Sequence, residues 1–212
     1  MNHPIFISYY TGNSYYKMCS ETLKEDCKKL DIKIVIETNN DLGFYWKNTL
    51  IKPSFIIKKI EEIKNDVIWI DVDTKIFKYS DCFKKWDSDI LFASHTGDLQ
   101  GIKASPLGIK YNKRSIEFLK EWERLCLDKI QKNDIDLDHD IIKYEILPSF
   151  KNKISIELMK EEKGPQEFRN GSIMENGISR LPNKGREVQI VIQKNKSRET
   201  HFNSLNVDDY NF

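Results

Sequence analysis

Nothing in the 212 residues approaches the roughly 18 consecutive apolar side chains that a bilayer-spanning helix needs. Met1-Asn2-His3-Pro4 also lacks the basic and apolar parts of a secretory leader, so the expectation is a soluble, cytoplasmic chain with no membrane span. Charge of one sign is missing as well. The 34 Lys and Arg residues offset 33 Asp and Glu, and the resulting net charge of +1 offers no bulk attraction to nucleic acid or anionic lipid. Lys58-Lys59 and Lys84-Lys85 therefore read as solvated helix faces rather than a phosphate track. Cysteine is scarce. Cys19, Cys27, Cys82 and Cys126 show no Cys-x-x-Cys spacing and no His at zinc distance, which argues against a zinc site or redox motif and for reduced, half-buried thiols. With no internal repeat, low-complexity tract or linker, the chain reads as one domain, 1–212, able to bury roughly 70% of its unfolded surface.

What is present is an alternation of strands and helices. Ile5-Phe6-Ile7-Ser8-Tyr9 is a short apolar strand broken by Thr11-Gly12-Asn13. Tyr15, Met18, Cys19, Leu23, Cys27 and Leu30 then recur at helical spacing. A β-branched strand at 32–37, an aromatic loop at 41–46 and a helix opened by Pro53 and running to about 64 follow. A further strand is expected at 89–94, a Gly-punctuated strand or bend at 101–109, and a helix over 113–130 with Ile116, Leu119, Trp122, Leu125, Cys126 and Ile130 on one face. Asp134, Asp136, Asp138 and Asp140 open another helix that Pro148 ends, and a last strand is expected at 188–193. Alternating elements of this kind give a parallel sheet whose ligands sit beyond the carboxyl ends of its strands.

The segment Val67-Ile68-Trp69-Ile70-Asp71-Val72-Asp73 carries the chemistry. Four large hydrophobes read as a buried strand that delivers two carboxylates to the sheet edge, and residues at i and i+2 share a face of an extended chain. Paired hard oxygen ligands suit Mg²⁺ or Mn²⁺, ions that leave positions for water and substrate phosphates. The pair also has a plainer use, stopping a strand and solvating a turn. An aspartyl-phosphatase pattern wants a small hydroxyl or Val where Lys75 stands, and no Gly and closing Glu follow Asp73 as in an EF-hand loop.

Taken in order, these features resemble the GT-A nucleotide-diphospho-sugar glycosyltransferases, most closely the small transferases of bacteria and large algal viruses. The features are the strand with its Tyr/Thr/Asn loop, the long helix, the Lys52-Pro53 helix, the Asp-x-Asp strand and the later acidic helix start. The resemblance covers about residues 4–147. It implies an α/β, single-domain GT-A fold, Rossmann-like, with a mostly parallel central sheet flanked by helices. Residues 1–100 would be the nucleotide-sugar half and 101–212 the acceptor half with the C-terminal tail. It implies a UDP-sugar donor, a glycan acceptor and a Mn²⁺ or Mg²⁺ cofactor.

By the same resemblance Asp71 and Asp73 hold the metal, with Asp71 and Val72 also beside the donor. Tyr9, Thr11, Asn13 and Tyr16 grip the base and ribose, although Tyr9 and Tyr16 serve equally well as aromatics at the edge of the core. Lys52 approaches the donor and His201 completes the metal shell, with Asn176 an alternative late oxygen ligand, while His95, after a strand that should end near the site, is expected to touch the donor or the acceptor sugar. Asp138 and Asp140 stand beside the transferred sugar, Asp138 as the proton acceptor of an inverting reaction. His139 stands where related enzymes often have Gln, which weighs against a retaining mechanism. Two other readings remain. A sugar nucleotidyltransferase of related fold needs a Gly-rich basic phosphate loop, and Thr11-Gly12-Asn13-Ser14 is poor in both. A non-catalytic nucleotide-sugar or carbohydrate-binding module, one domain of a larger polypeptide, would bind UDP without turnover. Sugar and acceptor choice fall to loops 38–52, 94–108 and 160–186.

Overall fold

The computed structural model describes residues 3–12, 14–76, 78–79, 81–163, 172–174 and 178–180. The apolar run of β1 (Ile5–Thr11) leads into α1 (Ser14–Lys29), whose Tyr15, Cys19, Leu23 and Cys27 recur every four residues and are buried as one face. After β2 (Ile34–Asn39) the expected aromatic loop winds from Tyr45 into a short helix, α2 (Tyr45–Leu50), and α3 (Lys52–Ile63) begins with Pro53 in its first turn. Lys64, at φ 52°, ends α3 in the left-handed conformation, donating its N–H to the Ile60 carbonyl. Then come β3 (Val67–Trp69), β4 (Thr74–Ile76), α4 (Cys82–Lys85), β5 (Ile90–Ser94) and, past a 3₁₀ turn, β6 (Ile102–Ile109). The helix α5 (Lys113–Lys132) is capped by Asn112, whose side chain accepts from the Ser115 N–H, and by Asn133 at φ 54°.

Next, α6 (Asp138–Ile141) runs through a π-helical stretch (Ile142–Ile146) into α7 (Leu147–Phe150). Pro148 was expected to stop this helix. It does not, because it sits in the first turn of α7, where a missing N–H costs nothing. The remaining strands are β7 (Ile156–Lys163), β8 (Ser172–Met174) and β9 (Ile178–Arg180), while the strand expected at 188–193 lies outside the described residues.

The main sheet has the order β2-β1-β3-β6-β5-β7-β8, and β4 pairs with β9 alongside it. β1 is parallel to β2 and β3, and β7 is parallel to β5. β6 runs against both β3 and β5, and β8 against β7. The sheet is therefore mixed rather than mostly parallel. The reason is chain length: residues 95–101 between β5 and β6 are fewer than the dozen or so a parallel crossover requires. Alternation along the strands splits the core into two layers. Ile7, Trp69 and Phe92 pack toward Phe55, Phe118 and Trp122 of α3 and α5, while Phe6, Ile68 and Leu91 pack toward α1 and Phe83 of α4. Cys19, Cys27 and Cys126 are buried and Cys82 is partly so, and none of the four is in a disulfide. Among the described residues no helix is long and apolar enough to cross a membrane.

Candidate active site

Because β1 and β3 are parallel neighbours, their carboxyl ends open on one edge. There the chain leaves β3 at Trp69, bends, and passes through Asp71, Val72 and Asp73 before β4. Lys75 secures the far side of this turn by pairing with Asp26 of α1 at 2.5 Å, and the other Asp26 oxygen accepts the Ile76 N–H. A phosphatase-like role for the position of Lys75 gains no support from that tie. In front of the turn lies an open cleft. Its walls include Tyr9, Thr11, Tyr16, Lys52, Asp71, Val72 and Asp73. The cleft thus joins residues from β1, α1, α3 and the turn after β3, separated by up to 64 positions in the chain.

Tyr9 lines the cleft and belongs to the core at once, which accords with the second of its two readings, an aromatic at the core edge. Its ring packs against Phe55 at 5.2 Å and Trp69 at 5.1 Å, and its hydroxyl donates to the Asn48 carbonyl at 2.5 Å. Burial, reinforced by Asp71 and Asp138, pushes its ionisation well above the ordinary tyrosine range. It is core that forms the back wall. The half-buried aromatics around the cleft are Tyr16 and two residues the sequence did not single out, Tyr10 and Tyr45. Asn48 and Thr49 of α2 and the indole of Trp69 were missed too. The aromatic loop 41–46 was the available signal for Tyr45. Asn48 pins that loop, donating to Asp41 and accepting the Leu42 N–H, each at 2.9 Å.

Lys52 is the electrostatic centre. Only 4% exposed, its ammonium donates to Asp138 Oδ2, lies 3.2 Å from Asp71 Oδ1 and 3.4 Å from the Ala104 carbonyl, and faces the Trp69 ring at 5.4 Å. Burial alone would lower its proton affinity, but the two carboxylates outweigh it and hold the amine above the usual lysine range. Asp71 Oδ1 also accepts the Trp69 indole N–H at 3.0 Å, and Asp73 is buried at 3% exposure. Asp138, 6% exposed, does not line the cleft. Burial pushes its carboxyl up, yet Lys52 and the contact with His139 bring it below the ordinary aspartate range. Its Oδ1 accepts the His139 N–H at 2.8 Å, so both oxygens are engaged. Asp140 is half-buried and pairs with Lys143 at 2.8 Å, also off the cleft wall. His95 is exposed, its N–H donating to the Gly101 carbonyl at 3.0 Å, and it does not line the cleft either. Asn13, Asn176 and His201 lie outside the described residues.

Among the described residues no group of three or more His, Cys, Asp or Glu is gathered to cage a metal. The donor set on offer is the two carboxylates of Asp71 and Asp73 on one wall. Chemically, the cleft combines half-buried aromatic rings with carboxylate oxygens and an ammonium already paired to Asp71 and Asp138.

No protein-family model matches this chain, and neither does any curated protein. Solved structures do. A glycosyltransferase involved in the glycosylation of the major capsid of PBCV-1 aligns with TM-score 0.52 at 13% identity, over 74% of this chain and 82% of that one. The glycosyltransferase GlyE of Streptococcus pneumoniae TIGR4 aligns with TM-score 0.51 at 17% identity, over 74% of this chain but 45% of its own. Likeness at this identity speaks to architecture. This chain has the α/β fold of those glycosyltransferases, a mixed central sheet flanked by helices, across most of its length.

Proposed function

We propose that the chain is a glycosyltransferase that takes its sugar from a UDP-linked donor with the help of Mn²⁺ or Mg²⁺. The observation that carries this reading is the convergence of Asp71 and Asp73 with Tyr10, Tyr16 and Tyr45 on one cleft at the carboxyl edge of β1 and β3. Two carboxylates suffice for a hard ion whose remaining positions go to diphosphate oxygens and water, so the residues present fit the metal. Asp73 and Asp71 would hold it. When bound, the ion neutralises the charge that develops on the diphosphate as it leaves. The tyrosines offer faces for the uracil, and Lys52 fixes the Asp71 carboxylate by ion pair. An inverting transfer needs a carboxylate to accept the proton of the incoming hydroxyl. Of the expected pair, Asp140 is the half-exposed member, whereas Asp138 is committed to Lys52 and His139.

The test is titration of UDP without metal, with Mn²⁺, and with Mn²⁺ on Asp73→Ala. Mn²⁺ should tighten binding to the wild type and do nothing for the variant. Equal affinity in all three conditions would refute the metal-diphosphate reading. A panel of UDP-sugars assayed for Mn²⁺-dependent UDP release then separates an enzyme from a binding module, which would bind and never turn over.

A further inference from the structure

The pairing of β5 with β6 slips at the site. Phe92 faces Leu107, but the next residue, Ala93, faces Lys103, so one step along β5 corresponds to four along β6. Residues 104–106 are the excess, a bulge in β6. The bulge begins just beyond Trp69↔Leu107, the last pair between β3 and β6, where the chain turns toward Asp71. Two of its groups reach into the charge network. The Ser105 hydroxyl accepts the Asp71 N–H at 2.8 Å, and the Ala104 carbonyl accepts from the Lys52 ammonium at 3.4 Å. Asp71 lies past the end of β3, where β6 no longer presents a ladder carbonyl, and a side-chain oxygen supplies the missing acceptor. A single bulge thereby holds both members of the 3.2 Å Lys52–Asp71 pair.

From this we infer that Ser105 is a positioning residue for the proposed transfer, fixing the Asp71 backbone so that the Asp71 and Asp73 carboxylates meet the donor in one geometry. The inference rests on the UDP-sugar reading above. Its chemistry is indirect: Ser105 forms no bond with the substrate, and its hydroxyl replaces a ladder partner at the one amide where sheet pairing stops. Sites lose activity quickly when such support is loosened, because the reacting groups keep their identity and lose their alignment.

The experiment compares wild type, Ser105→Ala and Ser105→Thr in three measurements: melting temperature, UDP affinity in Mn²⁺, and the rate of Mn²⁺-dependent UDP-sugar hydrolysis, which needs no acceptor. Ser105→Ala should melt close to wild type yet lose about 5- to 10-fold in affinity or turnover, the worth of one hydrogen bond, and Thr should restore most of it. Amide exchange at Asp71 should quicken in the Ala variant while Trp69 is unaffected. Should the Ala variant fail to fold, Ser105→Cys, with its weaker sulfur acceptor, should give an intermediate loss. A wild type that binds no UDP with Mn²⁺ overturns the functional reading and this inference together. A wild type that binds and turns over, beside an Ala variant that merely melts lower with unchanged affinity and turnover, overturns the inference alone. A Thr variant as impaired as Ala has the same consequence.

Discussion

Replacing Lys52 with Met keeps the volume and removes the charge, and the structure sets the size of the effect. Across the 3.2 Å contact with Asp71 the attraction is ~5 kcal/mol at an effective dielectric of about 20, and the contact with Asp138 is closer still. Burying the ammonium offsets much of that gain. Removal, however, leaves the Asp138 carboxylate in the core without its counter-ion, and truncating one partner of a buried pair costs about 3–5 kcal/mol. That is a large share of a domain's stability of about 5–15 kcal/mol. Guanidinium unfolding of Lys52→Met, Asp138→Asn and the double variant forms the assay. The double variant should be more stable than Lys52→Met, because the orphaned charge is gone. Acidity provides a second check. In the wild type the Asp138 carboxyl is depressed, so its stabilisation is present above the unfolded value of about 3.9 and fades as pH falls through the lower folded one. Without Lys52, burial dominates and raises that carboxyl, so the native state binds the proton more readily and the deficit of Lys52→Met should shrink from pH 7 to pH 5. A Lys52→Met protein within about 1 kcal/mol of wild type at neutral pH, with a deficit that does not change with acidity, would refute the reasoning.

Two further outcomes follow from other parts of the fold. Asp89 accepts from Asn112 and Arg114, and from the Ser155 N–H and hydroxyl, at 2.8 to 3.0 Å. These bonds outweigh its burial and bring its carboxyl down to about 2. Against an unfolded value near 3.9 that is worth ~2.5 kcal/mol, present above about pH 4 and lost as pH falls through 2, and Asp89→Asn should lack this acid-dependent component in urea melts at pH 7 and pH 3. At Gly101 an added Cβ would stand 2.1 Å from Thr96 Oγ1 and 2.6 Å from the Thr96 backbone nitrogen. Gly101→Ala should therefore displace the 95–101 loop and cost about 1–3 kcal/mol, seen as a lower melting temperature with faster amide exchange confined to that loop.

The parts legible in the sequence were those with local periodicity. The faces of α1 and α5, the Pro53 start of α3 and the apolar strand ahead of Asp71 were all readable, and the rule that ligands sit beyond strand ends brought Asp71 and Thr11 to one edge. The direction of Tyr9 was not readable. β1 is apolar on both faces, so its alternation does not say which tyrosine belongs to which layer: Tyr9 packs with Phe55 and Trp69, Tyr10 packs on the α1 side, and both reach the cleft wall. The Lys52–Asp138 pair joins residues 86 positions apart, beyond any local pattern. β7 was not singled out, since its apolar residues Ile156 and Leu158 alternate with charged ones and are only partly buried, and at the bulge Pro106 is the one local signal, because a proline inside a strand pattern marks an irregular ladder.

The reversed strand also acts as a ruler. β6 lies between β3 and β5, so two inter-strand spacings, roughly 10 Å, separate the strand that leads to Asp71 from the one that leads to His95. β3 and β5 each run against β6, so they run the same way and their carboxyl ends share one sheet edge across that width. The placement of one antiparallel strand thereby keeps both landmarks on the same rim while holding them a strand apart.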